Sequence, residues 1–181
     1  MRPQRLFVSL DLPESVRRML SEFRADIRGV RWLRPEQIHL TLSFLGNVEA
    51  EAGEILRERL AAIAFGSFFL PIMGLGIFPA KGRPSVIWAG VRKGHPHLFQ
   101  LHKRVQEAAL AAGLEPDLRS FHPHMTIARC KDVSAEAVRS FLKHHAEFDG
   151  GLVPISSFSL YSSVPGRDGS AYTRELEVRA L

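Results

Sequence analysis

Apolar residues along the chain follow two periods. Arg5-Leu-Phe-Val-Ser-Leu10 is rich in β-formers and predicts a first strand, stopped by Asp11. Val16, Leu20, Phe23 and Ile27 then recur at helical spacing. They predict a helix capped by Asp11, with Pro13 in its first turn, Glu14 in capping-box position and Gly29 as its stop. From Ile38 to Leu45 the period changes to two: Ile38, Leu40, Leu42 and Phe44 point one way, and His39, Thr41 and Ser43 the other. A helix over 49–64 follows, burying Leu56, Leu60 and Ile63. Strands over 68–78 and 86–90 come next, separated by a loop carrying Lys81 and Arg83.

The second half follows the same logic. Leu98, Leu101, Val105, Ala108 and Ala112 form a helical stripe ended by Gly113. A strand over 122–130 presents His124, Thr126 and Ala128 on one face, with Met125 and Ile127 on the other. Ser134 caps a helix carrying Val138, Phe141 and Leu142, and strands over 153–162 and 171–178 close the chain. Each half thus reads helix, His-bearing strand, helix. The pattern predicts an α+β fold with helices packed behind sheets, and an internal duplication into two similar lobes.

Composition narrows the class. With 181 residues, 45% of them hydrophobic and 24% charged, the chain is expected to be one globular domain over residues 1–181. The formal charge of +5 favours an anionic ligand or RNA without demanding one. The lone Cys130 forms no internal disulfide, which fits a reducing, cytoplasmic setting. The short apolar run within Met1–Leu10 is broken at Asp11, so no signal peptide is expected, and no window approaches the ~20 apolar residues of a membrane span.

The chemistry concentrates in two four-residue elements, His39-Leu40-Thr41-Leu42 and His124-Met125-Thr126-Ile127. The chain has eight histidines and three threonines, yet two of the threonines lie two residues after a histidine. In a strand, residues i and i+2 share a face, so each element presents an imidazole beside a hydroxyl, anchored by apolar neighbours behind. Facing lobes would bring two imidazoles and two hydroxyls onto one small anion. One neutral imidazole could take a proton from attacking water while an imidazolium protonates the departing oxygen. In-line displacement requires these groups on opposite sides of phosphorus. The threonine hydroxyls could donate to the non-bridging oxygens. The residues alone do not say which histidine is acid and which is base.

Other signals are weaker. His122-x-His124 and His95-x-His97 have metal-ligand spacing, but no HExxH motif, cysteine pair or carboxylate cluster accompanies them, so no metal site is expected. His122 is expected to orient or border the site. Arg129 is a candidate phosphate or RNA contact. Strict alternation places it on the face opposite His124, so that role requires a twist or a bulge. Lys81 and Arg83 could line an RNA entrance, although a basic loop is usually only solvated, and Trp32, Phe78 and Tyr161 could stack a base, although each is more often a packing residue. Gly74-x-Gly76 lacks the third glycine and helix start of a dinucleotide loop.

His39-Leu-Thr-Leu-Ser-Phe-Leu-Gly46 and Phe121-His-Pro-His-Met-Thr-Ile-Ala-Arg129 resemble the two signature motifs of the two-histidine (2H) phosphoesterases, specifically the LigT-like RNA 2′,3′-cyclic phosphodiesterases, also called 2′-5′ RNA ligases. Arg5–Leu10, Gly76–Pro79 and Pro84–Gly90 add to the likeness, which spans nearly the whole chain. The resemblance implies a bilobal, pseudo-twofold fold with a basic cleft between two antiparallel sheets. It implies hydrolysis of RNA 2′,3′-cyclic phosphate ends to 2′-phosphomonoesters without metal or cofactor, and a minor, reversible 2′-5′ ligation. By motif position, His39 would be the proton donor and His124 the acceptor, with Thr41 and Thr126 binding the phosphate. Met125 stands where an aliphatic residue is more usual. The expected partner is RNA with 2′,3′-cyclic phosphate termini, and the expected state a monomer. An RNA- or nucleotide-binding module with little catalysis and a metal-dependent phosphohydrolase are the alternatives.

Overall fold

A computed structural model describes residues 3–92, 95–115, 117 and 119–181. Met1 and Arg2, part of the stretch weighed as a signal peptide, lie outside the described residues. The order is β1 (Gln4–Leu10), α1 (Glu14–Ser21), β2 (Val30–Trp32), a 3-10 turn (Pro35–Gln37), β3 (Leu40–Val48), α2 (Ala50–Ala61), β4 (Phe68–Phe78) and β5 (Val86–Val91). Then come α3 (Pro96–Ala111), β6 (His124–Cys130), α4 (Ala135–His144), β7 (Asp149–Ile155), β8 (Ser157–Val164) and β9 (Ala171–Arg179).

All strand pairs are antiparallel, in the order β7-β4-β5-β6-β3-β1-β8-β9, with β2 also pairing β6. Two four-stranded halves meet at one residue pair, Leu40↔Met125. A pseudo-twofold relation about that pair matches β3 with β6, β1 with β5, β8 with β4 and β9 with β7. The lobes are therefore not the two halves of the sequence. One lobe joins β1 and β3 to the C-terminal strands β8 and β9, and the other is the interior run β4–β7 with β2. Antiparallel pairing lets distant strands become neighbours, so the sequential repeat of helix and strand did not reveal this exchange. Helices α2 and α3 pack on each other and back the β3–β9 lobe, although they lie between β3 and β6 in sequence.

Buried aliphatics including Leu10, Leu40, Leu56, Leu60, Met125 and Ile127 form one continuous core. Helix α1 departs from expectation. It ends at Ser21 rather than near Gly29, and no side chain caps its N-terminus. Asp11 instead accepts hydrogen bonds from the hydroxyls of Ser157 (2.8 Å), Ser159 (2.6 Å) and Tyr161 (2.7 Å). Three hydroxyl donors from a neighbouring strand satisfy the carboxylate better than a few orphan helix N–H groups would.

Both histidine strands break alternation just beyond their threonines. In β3 the register passes from Ser9↔Thr41 to Val8↔Ser43, leaving Leu42 as the extra residue of a bulge. In β6 it passes from Trp88↔Thr126 to Ile87↔Ala128, leaving Ile127 as the extra residue. Each bulge exchanges the two faces downstream. Ser43 and Ala128 are thereby buried, at 4% and 0% exposure, while Phe44 is 55% exposed, the reverse of the alternation expected for positions 43, 44 and 128.

Candidate active site

The junction between lobes puts the two His-x-Thr elements on adjacent antiparallel strands, each running away from the shared pair Leu40↔Met125. Leu40 and Met125 are fully buried behind the site, so the polar residues either side of each stand on the opposite, cleft face. Both threonines are half-exposed there.

Each imidazole is tied in the same way. Nδ1 of His39 lies 2.9 Å from the carbonyl oxygen of Gln37, and Nδ1 of His124 lies 2.6 Å from that of His122. A carbonyl oxygen only accepts, so each Nδ1 carries the proton and donates it, which leaves Nε2 as the nitrogen free for proton exchange. The backbone two residues upstream thus sets both ring orientation and tautomer. His122 accordingly borders the site and acts on His124 through its main chain.

The rings sit in unlike walls. His39 packs against Phe7 (ring centroids 4.9 Å) and edge-on to Tyr172 (5.2 Å). His124 meets Phe78 edge-on (4.9 Å) and Trp88 (6.3 Å). Burial pushes the His39 pKa down to about 4; the Gln37 carbonyl opposes that shift, and the charges of Arg129 and His124 add to it. Burial also lowers His124, with the His122 carbonyl opposing and the His122 ring contributing in the same sense. Burial therefore favours the neutral form of both rings at pH 7.

Arg129, which strict alternation would have turned away, is brought back by the Ile127 bulge. It is exposed, and its charge is felt by both His39 and Tyr172. Burial raises the Tyr172 phenol, while Arg129, a hydrogen bond from Ser170, Arg5 and Arg31 pull it back. Hollows flank the pair. One of about 260 Å³ beside His39 is lined by Asp11, Arg17, Tyr161 and Arg174, and one of about 530 Å³ beside His124 by Trp88, Phe78, Met73 and Phe121. A third, about 570 Å³, runs between Thr41, Phe44, Phe78 and His124.

The remaining candidates divide. Phe78 and Tyr161 line these hollows, whereas Trp32 donates to the Ala25 carbonyl and packs on Phe141, away from the site. Arg83 is exposed and 3.9 Å from Asp132. His95 and His97 both pack on Phe68, and among the described residues no three His, Cys, Asp or Glu side chains converge as a metal site would require. Sequence reasoning missed Tyr172, which lies in a terminal strand with no motif around it, and misread Asp11. Only the polarity of Ser157, Ser159 and Tyr161, alternating along one face of β8, hinted at a buried acceptor.

The family model described as LigT like Phosphoesterase matches residues 10–88 and 91–172. The chain belongs to that family. Among relatives of this LigT-like phosphoesterase, an RNA 2′,3′-cyclic phosphodiesterase of Aeropyrum pernix is 34% identical over 152 residues, covering 83% of this chain and 86% of the relative. The Escherichia coli protein of the same name is 31% identical, over 94% of this chain and 93% of its own. Among solved structures, E. coli LigT complexed with 3′-AMP superposes with a TM-score of 0.81 at 28% identity, covering 98% of both chains. The protein TT0787 of Thermus thermophilus gives 0.78 at 28% identity, covering 97% of both. The α+β architecture with two pseudo-twofold lobes is thus the LigT fold, and no helix among the described residues is long and apolar enough to cross a membrane.

Proposed function

We propose that this LigT-like phosphoesterase opens RNA 2′,3′-cyclic phosphate ends to 2′-phosphomonoesters, using His39 and His124 as a proton-transfer pair and no metal. The observation that carries this reading is the matched tethering of both imidazoles, each Nδ1 donating to the carbonyl two residues upstream on strands that meet at Leu40↔Met125. Two free Nε2 atoms on one face suit an in-line reaction. His124 takes a proton from water as its oxygen bonds to phosphorus; the bond from phosphorus to the 3′ oxygen breaks, and His39 protonates that oxygen. Thr41, Thr126 and Arg129 hold the non-bridging oxygens as charge concentrates there. This direction follows the LigT resemblance. A donor must be charged, whereas burial keeps His39 neutral, so the anionic substrate itself supplies the field that protonates it.

The curated relatives named as RNA 2′,3′-cyclic phosphodiesterases support the substrate class. Run in reverse, the same pair would join a 5′-hydroxyl to the cyclic phosphate through a 2′-5′ linkage. Water at ~55 M outcompetes an RNA hydroxyl unless binding concentrates it, so ligation is the minor activity. We take residues 1–181 as one working unit, a monomer, acting where Cys130 stays reduced.

The test is product analysis on an oligonucleotide ending in a 2′,3′-cyclic phosphate, with and without EDTA. A 2′-phosphate product formed equally in chelator is expected. A 3′-phosphate product, or activity lost to EDTA and restored by zinc, overturns the mechanism.

A further inference from the structure

Arg31 and Arg129 are direct cross-strand partners on β2 and β6, an arrangement in which like charges repel. Among the described residues Arg5, Arg31 and Arg129, like several other arginines, have no acidic group within 4 Å, so what distinguishes them is their place beside the site. All three are exposed, and all three act on the Tyr172 phenol, whose ring is 5.2 Å from that of His39. The turn between β8 and β9 passes close to Arg31: its Nη1 lies 2.8 Å from where a Cβ on Gly169 would stand. The same turn accepts a hydrogen bond from Gln37 Nε2 at the Asp168 carbonyl, 3.2 Å away, and Gln37 in turn holds His39. Three guanidinium groups beside the site with no acidic partner among the described residues are free to hold a multivalent anion. Their forked donors suit phosphate oxygens.

We propose that Arg31 and Arg5, with Tyr172 and with Arg129 as the link to the reacting phosphate, form a second phosphate subsite that takes the neighbouring internucleotide phosphodiester, so that the substrate is the end of a polynucleotide rather than a free nucleoside cyclic phosphate. This rests on the reaction proposed above. A mononucleoside 2′,3′-cyclic phosphate has no second phosphate and leaves the subsite empty. A dinucleotide carrying the same terminus fills it. Binding then releases the Arg31–Arg129 repulsion, and the gain weakens as salt rises.

The experiment compares kcat/KM for adenosine 2′,3′-cyclic phosphate with that for the adenosine dinucleotide bearing the same end. The wild-type protein is expected to favour the dinucleotide by ~10-fold or more, as one charge-assisted contact warrants. Arg31→Ala and Arg5→Ala bring the ratio towards one, and Arg31→Lys retains part of it. A wild-type ratio of one, or an unchanged ratio in both alanine variants, overturns the subsite. A parallel titration with 3′-AMP and the 3′-phosphorylated dinucleotide separates this from failure of the reaction. If neither cyclic substrate is hydrolysed, the proposed chemistry falls. Tighter dinucleotide binding that depends on Arg31 would still support the subsite, and equal binding would remove it.

Discussion

The two lobes share a histidine-bearing edge and differ in what stands behind it. At pseudo-equivalent places they set His39 against His124, Thr41 against Thr126, and a bulged Leu42 against a bulged Ile127. One strand further out the correspondence ends. Asp11 matches Gly90, Ser9 matches Trp88, and beyond the bulges Phe44 matches Arg129. The hollow beside His39 therefore carries a charged network, Asp11 bound by Ser157, Ser159 and Tyr161 and lying 3.6 Å from Arg174, while the imidazole itself packs on Phe7 and Tyr172. The His124 lobe backs its imidazole with an indole lying flat over glycine, since a Cβ on Gly76 would stand 2.2 Å from the Trp88 ring. In the proposed reaction the shared features fix what proton transfer demands, namely ring orientation, tautomer and a neighbouring hydroxyl.

The largest expected effects test the shared part. His39→Ala and His124→Ala should each lower kcat/KM for a cyclic phosphate by at least ~10²-fold, the lower end of general acid–base contributions. Thr41→Val and Thr126→Val should each cost ~10- to 100-fold, the worth of a hydrogen bond to a charged oxygen. Steady-state kinetics on folded variants decides. If either histidine variant keeps near-full activity, the paired mechanism is wrong. If one threonine matters and the other does not, the symmetry of the edge is only architectural.

Much of that edge was legible beforehand. Alternation about Leu40 and Met125 placed each imidazole beside a hydroxyl, and the repeated His-x-Thr pattern identified the pair. The bulges were not legible. A bulge depends on the partner strand, and nothing in Thr41-Leu42-Ser43 or Thr126-Ile127-Ala128 marks the extra residue. Phe44 was accordingly assigned to the core face and found exposed, while Arg129 needed the very irregularity that periodicity cannot supply. The lobe exchange was hidden for a related reason, because β8 and β9 reach β1 only through tertiary pairing. Asp11 satisfied every local rule for a helix cap, and a stronger set of hydroxyl donors from β8 took it instead.

Depth provides the next contrast. The unfolded value for histidine is ~6.5, whereas folded His39 lies at about 4. Between those values the unfolded chain binds more protons, so the His39 contribution is fully present above pH 6.5 and is lost as pH falls towards 4. For a half-buried ring this amounts to on the order of 2 kcal/mol after solvent screening. Urea unfolding at pH 7.5 and 4.5 should show His39→Gln flattening the acid loss of stability more than His124→Gln does, since His39 is the more deeply desolvated ring. Equal flattening would mean the two pockets are equally wet.

The smallest expected effect probes the walls directly. Ser9 Oγ and Trp88 Nε1 occupy matching positions opposite Thr41 and Thr126, and each is buried without a hydrogen-bond partner among the described residues. An unpaired buried donor costs free energy that an apolar group of similar shape does not. At Ser9 the change is easily made, because the side chain is small and only a hydroxyl is removed. Ser9→Ala should therefore leave the protein as stable as before or raise its stability by up to ~1 kcal/mol, an unusual direction for a core polar substitution. Thermal and urea unfolding at pH 7.5 measure it, with cyclic phosphate turnover held as the control on the cleft. A loss above ~1 kcal/mol would show that Ser9 has a partner such as a fixed water.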